Sequence, residues 1–176
     1  METATKWVID PTHSELTFKV RHMMISNVKG QFNSYTITAE GEELLKSTFK
    51  VAIDTSSIDT HNEERDEHLK SEDFLDVENN KKITFESTAI KKVDENQYKL
   101  TGIITIKGIR NEATFDLEYG GTNKDPWGNE KAGMSISGKI DRRDFGLNWN
   151  TTLETGGVLV GEQVKIEGEL QFAKES

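Results

Sequence analysis

The chain has 176 residues, a formal net charge of −9 at pH 7 and no cysteine. That length is expected to form one domain, and the missing thiols exclude disulfides, cysteine metal sites and a thiol nucleophile. The acidic balance argues against nucleic acid and against an electrostatic grip on anionic membranes.

Alternation of apolar and polar residues runs almost end to end, and a strand puts every second residue on one face. Residues 1–10 hold no apolar run resembling a secretory signal. No stretch reaches the ~18 apolar residues of a spanning helix. The expectation is a cytoplasmic chain that is not integral to a membrane. Leu16, Phe18, Val20 and His22 share one strand face, opposite Glu15, Thr17, Lys19 and Arg21. Phe32 and then Tyr35-Ile37-Ala39 switch parity, which predicts a bulge near Asn33-Ser34. Phe49-Val51-Ile53 is a third strand.

Thr60-His61-Asn62-Glu63 fits a capping box with Thr60 as N-cap, and helix formers continue to Lys70. Leu69 is almost the only apolar residue there. A polar surface helix over 61–70 is therefore expected, anchored by Phe74-Leu75-Asp76-Val77 and placed to cover one end of a barrel.

Ile83-Phe85-Ser87-Ala89 and Ala113-Phe115-Leu117-Tyr119 resume the alternation. Leu100-Gly102-Ile104-Ile106, Met134-Ile136-Gly138-Ile140 and Val164-Ile166-Gly168-Leu170-Phe172 do so with a glycine on the apolar face. Interior strand glycines weaken packing, so they mark either a sharp bend of a closing sheet or room left for something inside. Turn signals such as Asp94-Glu95-Asn96 and Asp125-Pro126-Trp127-Gly128 separate about eight strands. Polar outside and apolar inside predicts a water-soluble, all-β, antiparallel barrel with one or two short helices. A two-sheet sandwich would show the same alternation and ranks second.

Four histidines, His13, His22, His61 and His68, do not make a metal site. His61 and His68 stand two helical turns apart, too far to chelate together, and neither metal nor cofactor is expected. His13 and Ser14 are neighbours on a strand and point to opposite faces, unsuited to a base and its nucleophile. His22 lies on the apolar face, where a polar group needs a partner. It is either a hydrogen-bonded core histidine or a polar point that orients a ligand's head. Phe145, Leu147, Trp149 and Leu153 form an apolar cluster after a strand end. The adjacent Arg142 and Arg143 are read as solvated, the alternative being a gate with either near an anionic head.

Several stretches together resemble the YceI-like family of polyisoprenoid-binding proteins. They are Trp7-x-Ile9-Asp10-x-x-His13-Ser14 leading into Phe18-x-Val20-x-His22, Gly30-x-Phe32, Arg65-Asp66-x-His68-Leu69, and Phe74-x-Asp76-Val77. Further along they are Ile83-Thr84-Phe85-Glu86-Ser87, Gly102-x-Ile104-Thr105-Ile106-x-Gly108 and Arg143-Asp144-Phe145-Gly146. Leu75 and Lys82 depart from the family's usual Phe and Pro. The resemblance implies an extended, lipocalin-like barrel that binds a long-chain isoprenoid or similar amphiphilic lipid. Together with the alternation it designates an interior of large walls at Leu16, Phe18, Val20, Phe32, Phe85, Phe115 and Met134. Gly102, Gly138, Gly168, Ser87 and Ala89 are its small positions, with His22, Phe145 and Trp149 beside them. Binding without catalysis is the expected function. A barrel hydrolase built on His22 and a ligand-free interaction module are the alternatives, and a homodimer stays open.

Overall fold

The computed structural model describes residues 5–150 and 159–175. Eleven strands form one antiparallel sheet: β1 (Lys6–Ile9), β2 (Glu15–His22), β3 (Ser26–Phe32), β4 (Tyr35–Glu40), β5 (Thr48–Asp54), β6 (Ile58–Asp59), β7 (Lys82–Asp94), β8 (Gln97–Ile106), β9 (Ile109–Lys124), β10 (Glu130–Asp141) and β11 (Val160–Glu175). Helix α1 (Glu63–Lys70) follows β6. No helix among the described residues is long and apolar enough to cross a membrane.

The sheet runs β1-β4-β5-β7-β8-β9-β10-β11, and β1 pairs back onto β11. Eight strands therefore close into a barrel, which excludes the sandwich. β2, β3 and β6 prolong the wall at one end. The long β11 explains how, because Glu169 to Val164 pair with Glu15 to Val20 of β2, while Phe172 to Glu175 pair with Ile9 to Lys6 of β1. β1 and β2 are thus one line along β11, broken by the turn Pro11–His13, where Asp10 Oδ1 accepts from the Thr12 amide at 3.0 Å.

The same break recurs between β3 and β4, and it corrects the expected bulge. At Asn33-Ser34 the chain leaves the β2–β3–β6 ribbon and joins the β1–β4–β5 side, so the parity switch marks two strands with different neighbours. A real irregularity lies between Ser87 and Ala89 on β7. It turns Ala89 out to solvent, against the expected inward position. The helix also starts later than expected. Asn62 is its N-cap, accepting from the Arg65 amide at 3.0 Å. Thr60 is buried and donates its hydroxyl to Asp66 at 2.5 Å.

Inward positions of the barrel are apolar, and Trp7, Ala39, Phe49, Leu117, Ala132 and Phe172 are almost fully buried. All but Leu117 of β9 gather where β1, β4 and the early part of β5 meet the late part of β11 and the early part of β10. Phe49 and Phe172 meet edge-on at 5.8 Å there. This is the closed floor. The opposite end, where β2 and β3 meet the start of β11, carries α1 and stays open.

Candidate functional site

Above that floor the barrel holds an elongated cavity of about 570 Å³. This lies within the ~300–1,000 Å³ range of small-molecule sites. Leu16, Phe18, Val20 and His22 of β2, Phe32 of β3, Phe85, Phe115 and Met134 of the barrel wall, and Trp149 all line it. Gly102, Gly138, Gly168 and Phe145 are not on its surface. Phe145 is buried in the core beside it. Leu153 lies outside the described residues.

The glycines need a different account from vacant ligand space. A Cβ on Gly138 would lie 2.5 Å from Cδ1 of Phe115, so that ring occupies the place the side chain would take. On Gly30 it would lie 2.3 Å from Cζ of Phe18, and on Gly168 2.9 Å from Cγ1 of Ile136. Gly102 differs in meeting backbone, at 2.3 Å from the carbonyl oxygen of Glu86, as well as Cζ of Phe85 at 2.6 Å. There the β7 irregularity presses backbone against backbone. Gly30, Gly102 and Gly138 thus seat the rings of Phe18, Phe85 and Phe115, which line the cavity, while Gly168 seats the aliphatic Ile136. Phe85 and Phe115 meet edge-on at 5.6 Å, and Phe18 and Phe32 meet at a tilt at 5.5 Å.

Other wall residues, such as Phe49, Val51, Ile83, Leu100 and Leu170, come from the predicted strand faces. The expected helix over one end of the barrel is there, but the sequence did not assign its side chains to the site. Asn62, Glu64, Arg65, His68 and Leu69 of α1 reach the cavity, with Phe74 and Leu75 after it. His68 donates from Nε2 to the Asp73 carboxylate at 2.9 Å, and its ring meets Phe74 at 5.1 Å and Trp149 at 4.6 Å. Arg65 ties the helix start to β6, donating through Nε to the Thr60 hydroxyl and through Nη2 to its carbonyl, at 2.8 and 2.7 Å. The helix thus covers part of the open end through polar ties on one side and an aromatic trio on the other. The capping pattern alone carried no signal for that contact.

The arginines correct the reading that both are solvated. Arg142 is 3% exposed and donates to four backbone carbonyls: Gly161 at 2.8 Å, Leu147 at 2.5 Å, Trp149 at 3.0 Å and Val160 at 3.2 Å. Burial lowers its pKa, but a guanidinium keeps its proton. It clasps the segment after β10 to the start of β11 across the mouth.

Arg143 points outward and pairs with Asp141 at 2.7 Å and Glu162 at 3.1 Å. Its side-chain hydrogen bond holds the Asp141 carboxyl down at about 2. A carboxylate whose pKa falls on folding stabilises the fold above its unfolded value near 4, and that contribution fades as pH drops from ~4 towards 2. The unfolding midpoint of the wild type should therefore fall more across that interval than that of Asp141→Asn. An equal fall of the denaturation midpoint in the two proteins between about pH 4 and pH 2 would count against the pairing.

His22 is half-buried at the rim, and among the described residues no hydrogen bond reaches its ring. No cluster of three or more potential metal ligands occurs among the described residues. The site offers apolar enclosure with a few polar groups at one end.

A family model described as a YceI-like domain matches residues 7–172. The chain is 45% identical to a UPF0312 protein of Staphylococcus aureus over 96% of this chain and 98% of that protein. It superposes on a YCEI protein of Campylobacter jejuni with a TM-score of 0.76 at 31% identity, covering 90% of this chain and 91% of that one. A polyisoprenoid binding domain from Saccharophagus degradans matches with a TM-score of 0.66 at 12% identity, over 95% of this chain and 97% of that one.

Proposed function

Because the chain belongs to the YceI-like domain family, we propose that it binds a polyisoprenoid or another long-chain amphiphilic lipid inside the barrel and carries it unchanged. The observation that carries this reading is the cavity: about 570 Å³, walled by aliphatic and aromatic side chains, floored by a packed plug and open at one end. That shape suits a ligand with an apolar tail and a head left near water. The name of the Saccharophagus degradans domain, which shares the fold, points the same way. In this reading Leu16, Phe18, Phe32, Phe85, Phe115 and Met134 hold the tail, while His22 and Trp149 lie beside the head.

Tail contacts dominate the energetics. Each buried methylene contributes roughly 0.8 kcal/mol, so several isoprene units outweigh one hydrogen bond at the rim. Affinity should rise with tail length until the cavity is full. Neutral quinones and prenyl phosphates of equal tail should bind within about tenfold of one another, a gap of ~1.4 kcal/mol. Titrating a tail-length series against the delipidated protein at two ionic strengths tests this, and native mass spectrometry of protein from its own host identifies what it carries. Affinity indifferent to tail length would overturn the reading.

A further inference from the structure

The mouth of the cavity has an exposed apolar tip that neither the fold nor the cavity uses. The turn joining β2 to β3 is Met23-Met24-Ile25, with side chains 45%, 54% and 78% exposed. It belongs to the mouth, since His22 and Val28 beside it line the cavity and the Met23 amide donates to the carbonyl of Leu159, another lining residue, at 2.8 Å.

The turn is also built from the wrong residues for a turn. Met23 and Met24 both take left-handed backbone conformations, φ 51° and 63°. Those positions favour glycine or asparagine, and a long side chain there is strained. Two methionines therefore sit where they neither pack nor suit the backbone.

A second observation concerns charge. Register aligns Lys139 of β10 with Lys165 of β11, Lys165 with Lys19 of β2, and Lys19 with Lys29 of β3. Four lysines thus form one row across four neighbouring strands on the outer wall, in a chain of net charge −9. Like charges facing each other across strands oppose folding. Among the described residues only Lys165 has an ion-pair partner, Glu167 at 3.2 Å. Glu118, Glu169 and Glu15 of the same wall lie in a separate row nearer the floor, where Ser135 pairs with both Glu118 and Glu169, and Glu169 with Glu15, whereas Asp141 and Glu162, nearer the mouth, are both paired with Arg143. Basic charge is thus concentrated towards the end that bears the apolar tip.

We propose that the β2–β3 hairpin docks the barrel mouth on an anionic lipid bilayer, with Met23, Met24 and Ile25 entering the interface and the lysine row facing the headgroups. Lys19 and Lys29 stand four residues from the tip, roughly 13 Å at the rise of a strand. Insertion of the tip by ~5–10 Å brings the row to within about a Debye length, ~8 Å, of the headgroups. The net negative charge of the whole chain is screened beyond that distance, so the local row decides. Glu63, Glu64 and Glu67 of α1 are repelled by the same surface, which turns the hairpin rather than the helix to the bilayer. Docked in this way, the cavity opens beside the interface, where an amphiphile can pass with little exposure of its tail to water.

The test is cosedimentation with vesicles of phosphatidylcholine alone and of phosphatidylcholine with phosphatidylglycerol, at low and high salt. Docking predicts preference for the phosphatidylglycerol vesicles that weakens with salt. Met23→Asn/Met24→Gly relieves the turn, so it should raise the unfolding midpoint while lowering vesicle binding about tenfold or more. Ile25→Ser, outside the left-handed positions, should lower binding with little change in stability. Lys19→Gln/Lys29→Gln should remove the phosphatidylglycerol preference. Trp127→Ser, at the opposite end of the barrel, should leave binding unchanged. Unaltered binding in both tip variants overturns the proposal. So does a wild-type dimer that Met23→Asn/Met24→Gly dissociates, since the tip would then fit a second copy of this chain. The probe is the bilayer and not the cargo, so a failed tail-length series and a failed docking assay are separate results.

Discussion

Arg142→Leu should lower the stability of the fold by roughly 3–5 kcal/mol, from stranding carbonyls that the guanidinium now satisfies, and the thermal midpoint by ~10 °C. The expectation follows from its four acceptors, the carbonyls of Leu147, Trp149, Val160 and Gly161, none of which can be served by an alkyl chain. Arg142→Lys should fall between the two. It keeps the charge, but an ammonium on a flexible stem cannot reach acceptors spread across a planar fork. Because the clasp holds the mouth, both variants should also release a bound lipid faster, in the same order. Denaturant midpoints and lipid off-rates on the three proteins check this. A leucine variant as stable as the wild type would mean that water replaces the guanidinium at every carbonyl.

The second large effect separates two glycines that look alike in the sequence. Gly102→Ala places a methyl 2.3 Å from the carbonyl oxygen of Glu86 and 2.8 Å from Cα of Ser87, backbone atoms held by the β7–β8 pairing. The strands must move apart, at a cost of about 2–3 kcal/mol and some 6–10 °C in the thermal midpoint. In Gly138→Ala the nearest atoms to the new methyl all belong to the ring of Phe115, the first at 2.5 Å. That ring can swing inward, so the stability loss should be smaller while the longest tail accepted becomes shorter. Thermal melts together with the tail-length series read both effects. The reverse order, with Gly138→Ala the less stable protein, would mean that the Phe115 ring is held more rigidly than the β7–β8 backbone.

The expected barrel rests on a signal that is local and repeated. Leu16-Phe18-Val20 or Ala113-Phe115-Leu117 each announces a strand with one wet face. Eight such segments with polar outer faces fit a closed barrel or a two-sheet sandwich, and the pairing of β1 with β11 decides for the barrel. β1 escaped notice because four residues, Lys6–Ile9, are too few to show a period. The break at Asn33-Ser34 was visible as a parity switch, yet its meaning depended on which strands lie alongside, and pairing partners are not encoded within a single strand.

The cavity wall was legible in the same way, from Leu16, Phe18, Phe32, Phe85, Phe115 and Met134, because inward parity is a property of the strand itself. The mouth was not. Arg142 and Arg143 are adjacent and chemically identical, but one is buried against four carbonyls and the other pairs with Asp141 and Glu162. His68 is one of several polar residues on a helix until Phe74 and Trp149 close on its ring.

Alternation by itself therefore determined the fold class, the inner face and the apolar character of the interior, since burial of every second side chain is a consequence of strand geometry. Tertiary structure decided the rest. Whether a glycine leaves a void, seats a ring or lets two backbones touch depends on the residue across the strand, and whether a cation is solvated or clasped depends on carbonyls brought from elsewhere in the chain. Those neighbours are defined by sheet register and closure, which exist only once distant segments have paired.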